Sequence, residues 1–184
     1  MRRLGALIPA ASHPPHGKPT EMTDPTPEPA DTSRAAADAA SRGLAVTFLT
    51  RDGTGRPTSA DFGGVPIVKS IVVQRGDSFV FVLTPLDAQF RWAALRTHLG
   101  VNRLSLPDAE AAFLATGYHR GTITPLGSHP AWPVVIDQSL AGQSVLLGSG
   151  VSGVGALVEA DDFARAYGAE YVALTETGPV TLEA

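Results

Sequence analysis

Two aliphatic runs, PIVKSIVVQ over residues 66–74 and SFVFVLT over 78–84, are separated only by Arg75, Gly76 and Asp77. β-Branched and aromatic residues at this density read as buried strands, and a three-residue link containing glycine reads as a hairpin turn. Whatever fold the chain adopts must be built around this pair. Alternation along the first strand places Ile67, Lys69, Ile71 and Val73 on one face, so an ammonium group projects among aliphatic side chains. Taking that charge out of water is costly unless something pairs with it. The only lysines are Lys18 and Lys69, against twelve arginines, so a cation needed merely for solvation would by usage be arginine. Lys69 reads instead as a compact charge with three donors. The alternative is that its methylene stem carries the amine out to water near the strand end, which the continuation of the apolar face to Val73 opposes.

The remaining segments supply layers for this hairpin. SRAAADAASRG (33–43) predicts a helix with Thr32 or Ser33 as N-cap and Gly43 as its stop. LAVTFLT (44–50) predicts a strand, and residues 51–64 a loop with a remnant helical turn. LDAQFRWAALRTHLG (86–100) has the spacing of an amphipathic helix, VNRLSL (101–106) that of a short strand. PDAEAAFLATG (107–117) predicts a helix with Pro107 in its first turn and Gly117 as its stop. YHRGTITPLGSHPAWP (118–133) is a long Gly/Pro loop, the natural place for function. Further strands are expected at VVID (134–137), SVLLG (144–148) and YVALTE (171–176), with DDFARAYG (161–168) a helix. The class expected is α+β, a mixed, mainly antiparallel sheet with flanking helices.

At 184 residues the chain is expected to hold one folded domain, 33–184, after a Pro/Thr-rich tail, 1–32, expected to be disordered. MRRLGALIPAAS makes a poor signal peptide, since its apolar stretch is minimal and contains Pro9; Met22 offers an alternative start. No run approaches the length of a membrane span, and a cytoplasmic location is expected. A net charge of −4 provides no basic surface for long duplex nucleic acid, while leaving contact with one nucleic-acid end open. With no cysteine, disulfides, thiolate catalysis and cysteine-type zinc sites are excluded.

Gly148, Gly150 and Gly153 in GSGVSG match the dinucleotide fingerprint, with Glu176 at a plausible distance. Too little chain follows to complete a nucleotide-binding half-sheet, so a glycine turn between sheet elements is the better reading. The five histidines form no metal set, and no G-x-S-x-G elbow is present. His129 is either a site residue or simply solvated. Asp137, at the end of VVID, either orders a loop by accepting backbone N–H bonds or forms a turn.

IVKSIVV around Lys69, LGVNRLSLPDAEAAFLATGY from Leu99, GTITPLG from Gly121 and PVVIDQSL ending at Leu140 together resemble the YbaK/ProX family of aminoacyl-tRNA editing domains. That resemblance implies the editing-domain fold found in prolyl-tRNA synthetases and a deacylase that acts in trans. It would hydrolyse the ester of a small mischarged amino acid on tRNA, using no cofactor or metal, with a synthetase as a candidate partner. The alternative is a relative that holds an aminoacyl-tRNA end or small ligand without turning it over.

By the same resemblance Lys69 would hold the tRNA end, and Gly121, Thr122 and Pro125 would join it in the catalytic site. Ile123, Thr124, His129, Asp137, Gly148 and Ser149 would contact substrate. Four departures stand out, the first being that the helix usual before the lysine strand is shortened to TSADFGG (58–64). Thr122 replaces a second loop glycine, Gly155 stands where an aspartate is expected, and LAVTFLTRDG lacks an expected tyrosine.

Overall fold

The computed structural model describes residues 31–53 and 55–175; the tail over 1–30 and Glu176 lie outside them. In chain order the elements are α1 (Ser33–Ser41), β1 (Thr47–Thr50), a 3-10 turn (Ser59–Phe62), β2 (Val68–Arg75), β3 (Ser78–Pro85), α2 (Trp92–Leu99) and α3 (Ala109–Thr116). There follow β4 (Val134–Asp137), a second 3-10 turn (Gln138–Leu140), β5 (Ser144–Gly148), β6 (Val154–Glu159), α4 (Ala160–Tyr167) and β7 (Glu170–Val172).

The α+β class holds, with the strands divided between two sheets. The 66–84 hairpin forms as β2 and β3, antiparallel, with Lys69 opposite Thr84 and Ser70 opposite Leu83. β4 joins β3 and β7 joins β4, both in parallel, giving the order β2-β3-β4-β7. The other sheet is antiparallel, in the order β1-β6-β5. A single parallel bridge between Ile67 and Leu146 links them, made by the Leu146 amide donating to the Pro66 carbonyl at 2.9 Å.

The main core lies between the sheets. Val68, Val72, Phe81 and Leu83 meet Val145, Leu147, Ala156 and Val158, with α1 and α4 adding Ala35, Ala39 and Phe163. On the other face of the larger sheet, Val73, Val80 and Val82 are covered by Leu95 of α2. Full burial of such side chains contributes about 1.5–3 kcal/mol each, and the hairpin supplies them to both cores.

Several local expectations change. The helix expected over 86–100 is confined to α2, because residues 86–91 are held by backbone pairing elsewhere. Leu86 donates to the Ile67 carbonyl, Arg91 donates to the Leu174 carbonyl, and Phe90 bridges Thr175. The strand expected over 101–106 reduces to one bridge, Gln74 with Ser105. Pro107 lies before α3 rather than in its first turn, since the Asp108 carboxylate caps the helix by accepting the Ala111 amide at 2.7 Å. In GSGVSG the glycines make the β5–β6 turn, Gly150 at φ 88° and Gly153 at φ 77°, as expected of a turn between sheet elements.

Candidate functional site

β2 is the edge strand of its sheet, and beside it, where the two sheets meet, lies a cavity of about 660 Å³. Its walls come from residues 67–72 of the strand region, 120–123 of the long loop, 146–148 of β5 and 151–155 of the following turn and strand. Lys69, Gly121, Thr122, Ile123 and Gly148 all line it. Thus the lysine strand and the glycine loop, roughly fifty residues apart in sequence, share one concave surface.

Lys69 is half-buried, and its ammonium donates a hydrogen bond to the Ala88 carbonyl. That carbonyl is available because residues 86–91 do not coil into a helix. Burial pulls the Lys69 pKa below the ordinary lysine value; the nearby Arg56 charge adds to this, and Asp87 opposes it. Asp87 itself is paired with Arg56 at 2.8 Å.

The loop is held from behind. The Tyr118 hydroxyl donates to the Leu126 carbonyl at 2.6 Å, and the Arg34 guanidinium lies 3.7 Å over the Tyr118 ring. The Gly127 amide donates to the Asp38 carboxylate at 2.8 Å. Arg120 donates to the Pro107 carbonyl at 2.7 Å, tying the loop to the start of α3. At its tip Gly121 takes φ 93°, a conformation glycine allows without strain. Thr122 turns inward on the loop, its amide and its hydroxyl both donating to the His119 carbonyl at 3.0 Å. Gly148 lets the loop approach β5 closely: a Cβ there would lie 3.0 Å from the Ile123 carbonyl oxygen.

The other expected site residues lie off the cavity. Thr124 and Pro125 are buried within the loop's own packing, and the Thr124 hydroxyl accepts from the Leu126 amide at 3.3 Å. His129 is exposed and does not line the walls. Ser149 is buried in the β5–β6 turn, donating to the Val154 carbonyl at 2.8 Å. Asp137 does order a loop through backbone amides, but a different one. Its buried carboxylate accepts from the Ser139, Leu174 and Thr175 amides and the Ser139 and Thr175 hydroxyls, pinning the chain after β7.

Sequence reasoning passed over four polar lining residues, Arg51, Ser70, Arg120 and Ser152. Ser70 carried the same signal as Lys69, a polar residue inside an aliphatic run. The two arginines lie in loops, where nothing local marks them. Arg51, which also pairs with Asp61 at 3.6 Å, Lys69 and Arg120 give the walls three cations, and among the described residues no Asp or Glu lines them. In a chain of net charge −4, this is a local excess suited to an anionic ligand. The lining also lacks histidine among the described residues. Among the described residues no group of His, Asp or Glu side chains is placed to hold a metal ion, and no helix is long and apolar enough to cross a membrane.

The sequence model of the aminoacyl-tRNA editing domain matches residues 59–166, a stretch that contains most of these walls. Solved structures share the fold. One is a proposed trans-editing enzyme for prolyl-tRNA synthetase, with TM-score 0.72 and 19% identity over 79% of this chain and 96% of that one. Another is a scaffold protein used for epitope grafting by computational design, with TM-score 0.71 and 19% identity over 79% and 96%. A third, the hypothetical protein APE2540, gives TM-score 0.67 and 22% identity over 78% and 99%. No curated protein matches the chain.

Proposed function

The chain belongs to the aminoacyl-tRNA editing domain family, and from that premise we propose that it is a deacylase acting in trans in the cytoplasm. It hydrolyses the ester joining a small, wrongly attached amino acid to the 3′ end of a tRNA. The observation that carries this reading is the cavity in which Lys69 faces the same space as Gly121–Ile123. Water attack on an ester carbonyl places negative charge on oxygen, which fixed N–H donors stabilise. The Thr122 amide is committed to His119, so the amides of Gly121 and Ile123 are the loop's donors for that oxyanion. Lys69, with Arg51 and Arg120, meets the phosphate-bearing end of the RNA. The apolar walls between them admit a small acyl side chain and disfavour a large one. A synthetase that supplies the mischarged tRNA is the natural partner, and it would compensate for the modest overall acidity.

One observation favours a second reading, a binder that holds an aminoacyl-tRNA end without cleaving it. Among the described residues the cavity walls contain no carboxylate or imidazole to serve as general base. On the deacylase reading, the substrate's own groups take that part. Incubating the purified chain with a panel of mischarged tRNAs, beside Lys69→Ala, separates the two. Ester loss faster than in buffer and dependent on Lys69 supports the deacylase; binding without ester loss supports the binder.

A further inference from the structure

Among the described residues the exposed large apolar side chains are Leu106, Phe113 and Leu114, at 57, 39 and 72% exposure. Single exposed apolar residues are ordinary, but these three fall together on α3 and the turn into it. The Phe113 ring stacks on the exposed His119 imidazole, with centroids 4.5 Å apart and planes inclined by 19°. This surface runs into the cavity. Leu106, Pro107 and Ala112 line the cavity from the α3 side, and Arg120 and Gly121 line it from the loop. Both halves of the stack are held in place. Phe113 sits on a helix capped by Asp108, and the His119 carbonyl accepts the Thr122 amide and hydroxyl. Ester cleavage as derived above makes no use of the stacked pair.

We propose that the His119–Phe113 stack is a platform for the nucleobase that precedes the terminal one of the bound RNA. The inference rests on the reading that a tRNA 3′ end enters this cavity, and it adds where the preceding nucleotide goes. That tail is single-stranded, and unpaired RNA bases are recognised by stacking on aromatic and histidine rings. One face of the His119 ring lies on Phe113 and the residue is exposed, so a base on the other face extends the stack. The order along the chain matches the order along the RNA. Gly121 offers an amide to the ester and Arg120 a cation to the phosphate, while His119, off the cavity walls, offers a flat surface beyond them. Asp108 and Glu110 at the start of α3 are exposed and acidic, which repels phosphate from that side and leaves the surface to a base. A protein partner would also cover apolar surface. A ring stack beside a cationic cavity mouth is instead the combination that single-stranded nucleic acid requires.

The test is a binding cycle on uncharged RNA, an acceptor-stem hairpin with its single-stranded 3′ tail, at low salt where electrostatic binding is strongest. Kd is measured for wild type and His119→Ala, each with the intact tail and with a tail lacking the base of the next-to-last nucleotide. Wild type should lose roughly tenfold when that base is removed, and His119→Ala should lose roughly tenfold on the intact tail. The variant should lose little more when the base is also removed, because the two deletions break one contact. His119→Trp should restore binding to the intact tail, which a merely structural role for the imidazole would not allow. Additive losses, or no restoration by tryptophan, overturn the platform. So does an affinity insensitive to residue 119, which would leave the patch to a protein partner. Ester loss from mischarged tRNA is followed in parallel. Coupling without ester loss supports the platform and removes the deacylase reading; ester loss without coupling overturns the platform alone. Failure of wild type to bind the hairpin at all overturns both.

Discussion

Asp38 on α1 accepts the amide of Gly127, 89 residues away, at 2.8 Å. The same carboxylate accepts the Tyr167 hydroxyl and pairs with Arg42 at 3.0 Å. Burial pushes its carboxyl up, but the hydrogen bonds from Tyr167, Gly127 and Arg42 outweigh that and hold it below the usual range. One aspartate therefore joins α1, α4 and the far end of the glycine loop. Asp38→Ala would leave the Gly127 amide and the Tyr167 hydroxyl without their acceptor, at a cost of about 2–3 kcal/mol. Denaturant unfolding should register that loss. Hydrogen exchange should quicken over residues 121–127 before it does in β2 and β3; equal protection in both variants would rule out a loop anchor at this position.

For Lys69 the expected effects on stability and on activity part company. Burial disfavours its charged form, so its folded pKa is lower than its unfolded one. For a cation this penalises folding below the folded pKa, and the penalty is relieved as pH rises from that pKa toward the unfolded value. Lys69→Met should therefore leave stability at neutral pH unchanged or slightly higher. It should also lower kcat/KM on mischarged tRNA by at least about tenfold, since a charge-assisted contact is lost. In wild type, tRNA affinity should weaken on the alkaline side at a lower pH than an ordinary lysine would give.

A side chain at position 155 has no room. A Cβ on Gly155 would lie 2.5 Å from the Leu146 side chain, which also lines the cavity. Gly155→Ala must displace Leu146, at about 1–3 kcal/mol for overpacking. If Leu146 moves into the cavity, kcat/KM should fall more for larger acyl groups than for smaller ones. Equal losses across a size series would instead point to a general loosening.

Asp137 should matter to stability more than to chemistry. Burial raises its carboxyl, yet the bonds from Ser139 and Thr175 prevail and hold it below the ordinary value. Its contribution is then complete above the unfolded carboxylate pKa and is lost as pH falls through the folded one. Asp137→Ala should cost about 3 kcal/mol near neutrality, an order expected for hydrogen bonds to a charged group. The gap from wild type should narrow in acid below about pH 4. A gap that stays constant with pH would mean that the carboxylate's charge does not contribute.

What the sequence disclosed follows the range of the forces involved. The β2–β3 hairpin and the Gly121 loop are written locally, in alternation, in a three-residue turn and in glycine and proline. Lys69 stood out because a charge in an aliphatic run is costly, and Ser70 carried a quieter form of the same signal. The start of α2 was misplaced because its spacing is helical, while its fate was decided by backbone pairing with residues 67, 174 and 175. Asp38 and Arg34 could not be picked out, since an alanine-rich helix gives no hint of partners near residues 116–127. The division into two sheets depends on which edges meet, and strand patterns do not encode that.

The ammonium of Lys69 rests on a neutral carbonyl, while Asp87, whose charge acts on it, is occupied by Arg56. An incoming anion need not compete with a resident counter-ion for it. Letting go of a peptide dipole sacrifices far less than breaking a full ion pair. The strand thus carries a cation in readiness, steadied in the absence of cargo and surrendered cheaply when a phosphate arrives.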